Sequence, residues 1–249
     1  MNAERIDGCG FSRKVWWLEP VGGRAERIGL FLDGESYVAR MHALEVIREM
    51  QRSGDVPPMA CGFVSHGDAA AGHRDFTCSD EYADYLTEEV MARGADRFRC
   101  GDGARHLIAG TSLAGLQSAF VALSRPDLFS HCLAQSGAFW WSDELLTGHA
   151  QRMDPVDVRF WLSVGDRETA DGISHPPSGI YQKVSQVAAC ERFARSLAGN
   201  GCEVRHRMVP GGHEVGRWQS ELAPALRWLF GAGESGEAGI SVADERRRS

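Results

Sequence analysis

Residues 106–115, reading HLIAGTSLAG, constrain this chain more than any other segment. An apolar run of strand length, residues 105–109, passes through Gly110-Thr111 straight into a helical pattern. That pattern starts at Ser112, reaches about Leu123 and is closed by Arg125-Pro126. A strand delivered this abruptly into a helix is half of a β-α-β unit, which needs parallel neighbours to pack against. The rest of the chain supplies them. Strand candidates lie at 15–18, 27–32, 59–65, 131–135, 160–164 and 203–209, and helical spacing at 41–52, 77–91, 184–197 and 218–230. Thr77 and Asp80 are spaced for a capping box, and residues 67–74, rich in Gly, Ala and His, read as a loop. This alternation predicts the α/β class, with a mostly parallel central sheet and helices on both faces. At 249 residues the chain suits one domain, residues 1–232. Residues 233–249, rich in Gly, Ser, Glu and Arg, are expected to be a disordered tail.

Composition excludes several function classes. A net charge of −7 argues against general nucleic-acid binding, which needs a basic face. No apolar run reaches the length of a membrane span, so no membrane partner is expected. Seven scattered cysteines, an odd number with no C-x-x-C pair, predict reduced thiols rather than disulfides or a zinc site. Residues 1–10 carry charges and no apolar core, unlike a secretory signal, and a cytoplasmic location is the expectation. No ligand-like spacing of His, Cys or carboxylates occurs, so neither a metal nor an organic cofactor is predicted. The sequence carries no mark of an oligomeric state.

The chemistry concentrates around Ser112. A serine on a strained strand-to-helix turn needs small flanking residues, here Gly110, Ala114 and Gly115, so that backbones can approach. The common pattern is G-x-S-x-G, and Ala114 stands where its second glycine would be. The helix start also offers the Leu113 N–H and a positive dipole end to a developing oxyanion. The bland alternative is a serine that caps a helix. A serine nucleophile needs a base, and the base needs an orienting acid. Of the downstream histidines, His213 follows a strand through Pro210-Gly211-Gly212, a turn that suits a catalytic base. His131 and His206 fall in strands and read as structural, while His149 and His175 read as solvent-exposed loop residues. The acid is expected after the strand at 160–164, where Asp166 and Glu168 both stand.

Several short stretches together resemble the enterochelin (ferric enterobactin) esterases, in the wider esterase family that includes the mycobacterial mycolyltransferases. They are Phe31-Leu32-Asp33-Gly34-Glu35, Arg74 with Thr77-Cys78-Ser79, residues 105–112, residues 135–141 (QSGAFWW), Gly165-Asp166-Arg167-Glu168, and Gly211-Gly212-His213 with Trp218. The resemblance spans roughly residues 15–229 and implies an α/β-hydrolase fold. It also implies Ser112 as nucleophile, His213 as base, and Glu168 in preference to Asp166 as acid. An oxyanion hole from the N–H groups of Leu113 and Glu35, following Gly34, is implied too; one such donor is typically worth roughly 3 kcal/mol of barrier. The substrate implied is a small-molecule ester or lactone, such as a catecholate trilactone siderophore. Arg74, Phe139, Trp140 and Trp141 are candidates for its aromatic and cationic wall. The same triad could serve another lactone or acyl ester, or an acyltransferase, and a hydrolase fold can also persist as an inactive binding module. Relative to the siderophore esterases, the chain reads Asp75-Phe76 where they tend to have Glu-Leu, and it starts almost at the catalytic domain.

Overall fold

The computed structural model describes residues 2–101, 103–175 and 179–231, so the expected tail at 233–249 lies outside the described residues. In chain order the strands are β1 (Asn2–Gly8), β2 (Phe11–Leu18), β3 (Arg27–Leu32), β4 (Met59–Val64), β5 (His106–Thr111), β6 (Phe129–Gln135), β7 (Arg159–Gly165), β8 (Ile173–His175), β9 (Ile180–Gln182) and β10 (Glu203–Val209). Eight of them form one sheet in the order β1-β2-β4-β3-β5-β6-β7-β10. The β1/β2 and β2/β4 pairs are antiparallel, and every later pair in the sheet is parallel. Strands β8 and β9 pair with each other as a separate hairpin.

The inner strands are apolar without interruption because both of their faces are covered. Every residue of β4 and β5 is buried. Their side chains divide by alternation, the period of a strand. Leu30, Ile108, Cys132 and Ala134 join one core layer, while Phe31, Leu107, Ala109 and Leu133 join the other. Helices α1 (Ala43–Ser53) and α8 (Val215–Phe230) cover the second layer. The first layer takes the helical segment formed by α3 (Asp80–Asp84), a π-helical stretch (Tyr85–Met91) and α4 (Ala92–Phe98). It also takes α5 (Ser112–Ser124), α6 (Trp141–Ala150) and α7 (Gln186–Gly199). The mostly parallel sheet with helices on both faces is therefore as the sequence rhythm predicts. Among the described residues no helix is long and apolar enough to cross a membrane.

Two local expectations are corrected. Residues 67–74 are not a loop: α2 (Ala69–Asp75) runs through them. Asp68 caps it by accepting from the Ala71 N–H at 2.8 Å, and three successive alanines favour the helix. The cap of the next helix is Ser79, not Thr77: Ser79 Oγ accepts from the Tyr82 N–H at 3.1 Å, while Thr77 Oγ1 turns back to donate to the His73 and Arg74 carbonyls. Strand β1, helix α6 and the β8–β9 hairpin carry too little periodicity to be read from sequence. The head of α6 is irregular, with Ser142, Asp143 and Glu144 all at positive φ.

Packing across β2 and α4 is close enough to reverse an ordinary rule. A Cβ on Gly94 would stand 2.9 Å from Cη2 of the fully buried Trp17 and 3.1 Å from Ile28 Cδ1. Alanine is the better helix former by about 1 kcal/mol. Overpacking outweighs that gain here. We expect Gly94→Ala to destabilise the protein by about 1–2 kcal/mol, measured by urea denaturation.

Candidate active site

Strand β5 passes directly into α5, and Ser112 at the junction has φ of 53°, in the left-handed region. A non-glycine residue holds that conformation only where its surroundings impose it. The constraint comes from beneath the turn. A Cβ on Gly110 would overlap the Ala114 carbonyl and lie 2.7 Å from Ser118 Oγ; one on Gly115 would approach the Gly110 carbonyl oxygen to 3.1 Å and Gly137 Cα to 3.2 Å. Ala114 itself is buried in the core without displacing the turn. The small-residue requirement thus falls on Gly110 and Gly115, which explains why Ala114 can replace the usual glycine.

The remaining candidates gather at the same edge of the sheet, because the parallel strands all end there. Phe31 of β3 pairs with Ala109 of β5, so Asp33-Gly34-Glu35 and Thr111-Ser112-Leu113 leave the sheet side by side. Ser136 follows β6, Glu168 follows β7, and His213 follows β10. Ligands in open α/β sheets bind beyond this carboxyl edge.

His213 Nδ1 lies 2.7 Å from Glu168 Oε2. The other oxygen, Oε1, accepts from the Gly165 N–H at 2.7 Å, from Ser136 Oγ at 2.7 Å and from Arg217 Nη2 at 3.1 Å. The Glu168 side chain is only 5% exposed. Burial alone would raise its pKa, but hydrogen bonds from His213, Ser136 and the Gly165 N–H outweigh that and hold it below the ordinary carboxylate range. The ring of Trp218 meets the His213 ring edge-on, 4.9 Å between centroids, and Trp218 Nε1 donates to Ser136 Oγ at 3.1 Å. The Asp166 carboxylate holds a different group: it accepts from the Gly211 N–H at 2.9 Å and so shapes the turn before the histidine.

The loop after β3 is equally constrained. A Cβ on Gly34 would come within 2.6 Å of the Phe63 carbonyl carbon on β4, so only glycine fits. Glu35 caps a π-helical turn, Ser36–Arg40, and Leu113 lies in the first turn of α5; N–H groups at such positions lack partners within their helix. The Glu35 carboxylate accepts from Ser65 Oγ and, at 3.2 Å, from the His66 N–H. His66 Nδ1 lies 2.9 Å from Asp33 Oδ1 and 3.1 Å from Glu35 Oε2. Asp33, Glu35 and His66 are also the group of described residues whose donor atoms converge, within 4.8 Å, as metal ligands would. Sequence spacing gives no sign of it, because His66 arrives from β4.

Ser112, Glu168 and His213 line one cavity of about 300 Å³ with Arg167 and Trp140. Ile173 and His175 of the hairpin, Gln182 and Gln186 complete much of its wall. The expected aromatic wall is divided. Trp140 lines this cavity, stacked on His175 at 5.2 Å with 7° between the planes. Trp141 and Arg74 line a neighbouring cavity of about 380 Å³, where Arg74 Nε donates to the buried Asp75 at 2.9 Å. Phe139 belongs to neither: it is 0% exposed and stacks on Phe193 at 4.1 Å, because it faces the helix layer beneath. His175, read from sequence as an exposed loop residue, stands on β8 in the cavity wall. His131 and His106 are buried in strands, and burial pushes them down to about 3 and about 4, keeping both neutral. A groove of about 680 Å³ between α6 and α7 shares none of the cavity's residues.

Over residues 20–229 the sequence matches the family described as "Putative esterase". The chain belongs to this esterase family. Among its relatives is the iron(III) enterobactin esterase of Dickeya dadantii, 25% identical over 245 residues that cover 92% of this chain and 53% of that protein. The chain therefore spans about half the length of that curated relative. Its fold, the α/β-hydrolase fold, matches the enterobactin esterase from Shigella flexneri solved in the presence of enterobactin, with a TM-score of 0.78, 22% identity, and coverage of 92% of this chain and 59% of that one. It also matches a ferulic acid esterase, TM-score 0.72 at 16% identity, over 92% of this chain and 97% of that one.

The lowered pKa of Glu168 carries a stability consequence with a definite sign. A depressed carboxyl contributes stability that is fully present above its ordinary value of 4.5 and is lost as pH falls through the folded value. Glu221, raised by burial, contributes with the opposite sign. Comparing wild type with Glu168→Gln isolates the former. On acidification from pH 6 to pH 4 we expect the urea midpoint of wild type to fall further than that of the variant.

Proposed function

We propose that this chain is a serine esterase that works through an acyl-enzyme. The carrying observation is the convergence on one cavity of a left-handed Ser112 at a helix start and a His213–Glu168 pair at 2.7 Å. In this reading Ser112 Oγ attacks the ester carbonyl and His213 Nε2 takes its proton. Glu168 holds the imidazole by Nδ1, fixing its orientation and stabilising the imidazolium as it forms. The N–H groups of Leu113 and Glu35 receive the oxyanion, helped by the positive end of α5. The proton returns to the departing alcohol. A water activated by His213 then releases the acid and restores Ser112.

For substrate we infer a small ester or lactone of the catecholate siderophore kind, as the enterobactin esterase relatives suggest. The cavity of about 300 Å³ is at the small end of ligand sites and suits one arm of such a trilactone. The stacked Trp140 and His175 offer that arm a flat aromatic wall, and Arg167 lies in the same lining. The rest of the substrate would extend toward the second cavity, past Trp141 and Arg74.

The decisive experiment incubates wild type and Ser112→Ala with enterobactin, with and without iron, and follows products by mass. We expect wild type to open the ring and the variant to lose at least about 10⁴-fold in rate. Failure on enterobactin with turnover of a simple activated ester would discard the siderophore and keep the esterase. Failure on both, with no labelling of Ser112 by a fluorophosphonate, would sink the enzyme reading. On any substrate that turns over, Glu168→Gln is expected to lower kcat by about 10²–10⁴-fold, while Asp166→Asn should stay within about tenfold.

A further inference from the structure

Behind the His213–Glu168 pair lies an arginine that no part of the reaction just described uses. Arg217 stands on the first turn of α8 with its side chain 5% exposed. Each of its three nitrogens has a partner. Nε donates to the Gly212 carbonyl at 3.0 Å, Nη1 to Glu221 Oε2 at 2.9 Å, and Nη2 to Ser136 Oγ and, at 3.1 Å, to Glu168 Oε1. Glu221 is itself buried and accepts from Ser163 Oγ at 2.8 Å. One planar guanidinium therefore joins four parts of the chain: the turn that carries His213, the loop that carries Glu168, the end of β6 and the body of α8. Lysine could not make this fork, since an ammonium is a point charge on a flexible stem.

We propose that Arg217 is a positioning residue for the reaction, shared between Glu168 and Glu221 so that it aims the acid and fixes the His213 turn together. This rests on the esterase reading for its consequence in turnover, though not for its geometry. The division of charge matters. A lone cation beside Glu168 would oppose the imidazolium that His213 becomes in the transition state. Glu221, one helical turn further on, supplies the compensating negative charge. With both carboxylates ionised, the cluster of Glu168, Arg217, Glu221 and His213 is anionic when His213 is neutral and balanced when it is protonated. The fork thus holds geometry without taxing the proton transfer.

Other charged groups stand near this cluster, among them Arg207 of β10, whose charge acts on Glu221. Arg167 and Glu214 pair with each other at 3.0 Å. Asp166 is occupied by the Gly211 N–H, and His175 faces the same cavity from the hairpin.

The test reads the His213 imidazole directly, by nuclear magnetic resonance titration of 15N-histidine-labelled full chain, assigned by the signal lost in His213→Gln. Two variants differ at Arg217 alone, by its charge and its fork of hydrogen bonds: Glu221→Gln, and the double variant Arg217→Met with Glu221→Gln. Removing Glu221 in both prevents a second buried carboxylate from being stranded. We expect the double variant to titrate His213 at a higher pH than Glu221→Gln, by roughly half a pH unit or more. Equal midpoints would overturn the proposal. A second arm uses Arg217→Lys, which keeps a cation in the pocket and so protects folding. Hydrolysis of p-nitrophenyl acetate by it should show kcat reduced by about tenfold or more with KM unchanged. An unchanged kcat would equally overturn it. Absence of turnover in wild type, with the midpoints displaced as expected, would break the esterase reading and leave the charge assignment standing.

Discussion

The carboxylate of Glu168 is the group on which the site depends. It is almost wholly removed from water, and a buried charge is costly unless every lone pair finds a donor. Here the donors come from four separate segments: the backbone at Gly165, the Ser136 hydroxyl, the Arg217 fork and the His213 imidazole. Satisfying one carboxylate therefore ties the ends of β6, β7 and β10 to the start of α8. The desolvation that makes the group expensive also makes its partners hard to displace, since an unpaired partner would leave the charge uncompensated.

The backbone works to the same end by a different force. Ser112 sits in a left-handed conformation, Gly110 and Gly115 let the α5 turn close beneath it, and Gly34 lets the neighbouring loop press against β4. At Gly110 and Gly34 a single added methyl would overlap its neighbours, and at Gly115 it would crowd them. These limits fix where the serine oxygen and the two nearby helix-start N–H groups stand before any ligand arrives. In the proposed mechanism such preorganisation would supply the electrostatic assistance. It also explains the tolerance at Ala114, whose methyl finds room in the core.

The wall of the proposed substrate cavity is built from small elements outside the main sheet. The short β8–β9 hairpin brings Ile173, His175 and Gln182 into the cavity wall, and Gln186 at the head of α7 joins them while donating to the Gly137 carbonyl at 2.6 Å. The cations near the two cavities are not idle: Arg167 pairs with Glu214, and Arg74 with Asp75. An anionic substrate would have to compete for them, so selectivity for charge would depend on how readily the exposed Arg167–Glu214 pair opens and how firmly the buried Asp75 holds Arg74.

The α/β class and the position of Ser112 were legible in the sequence because both follow from local periodicity. An apolar run of strand length, two small residues and a helical pattern can be read within ten positions, and for the same reason the strand predicted at 27–32 coincides with β3. His213 was legible through its glycine turn after a strand. What local pattern could not do was choose between Asp166 and Glu168. They lie two positions apart in one loop, and only the tertiary structure shows Asp166 bonded to the Gly211 N–H and Glu168 to the histidine. Nor could it show that Phe139 turns into the core while Trp140 and Trp141 divide between two cavities, or that His175 and Arg217 belong to the site. Those outcomes depend on which residues from distant segments share one buried volume, and a one-dimensional pattern encodes periodicity along the chain, not proximity across it.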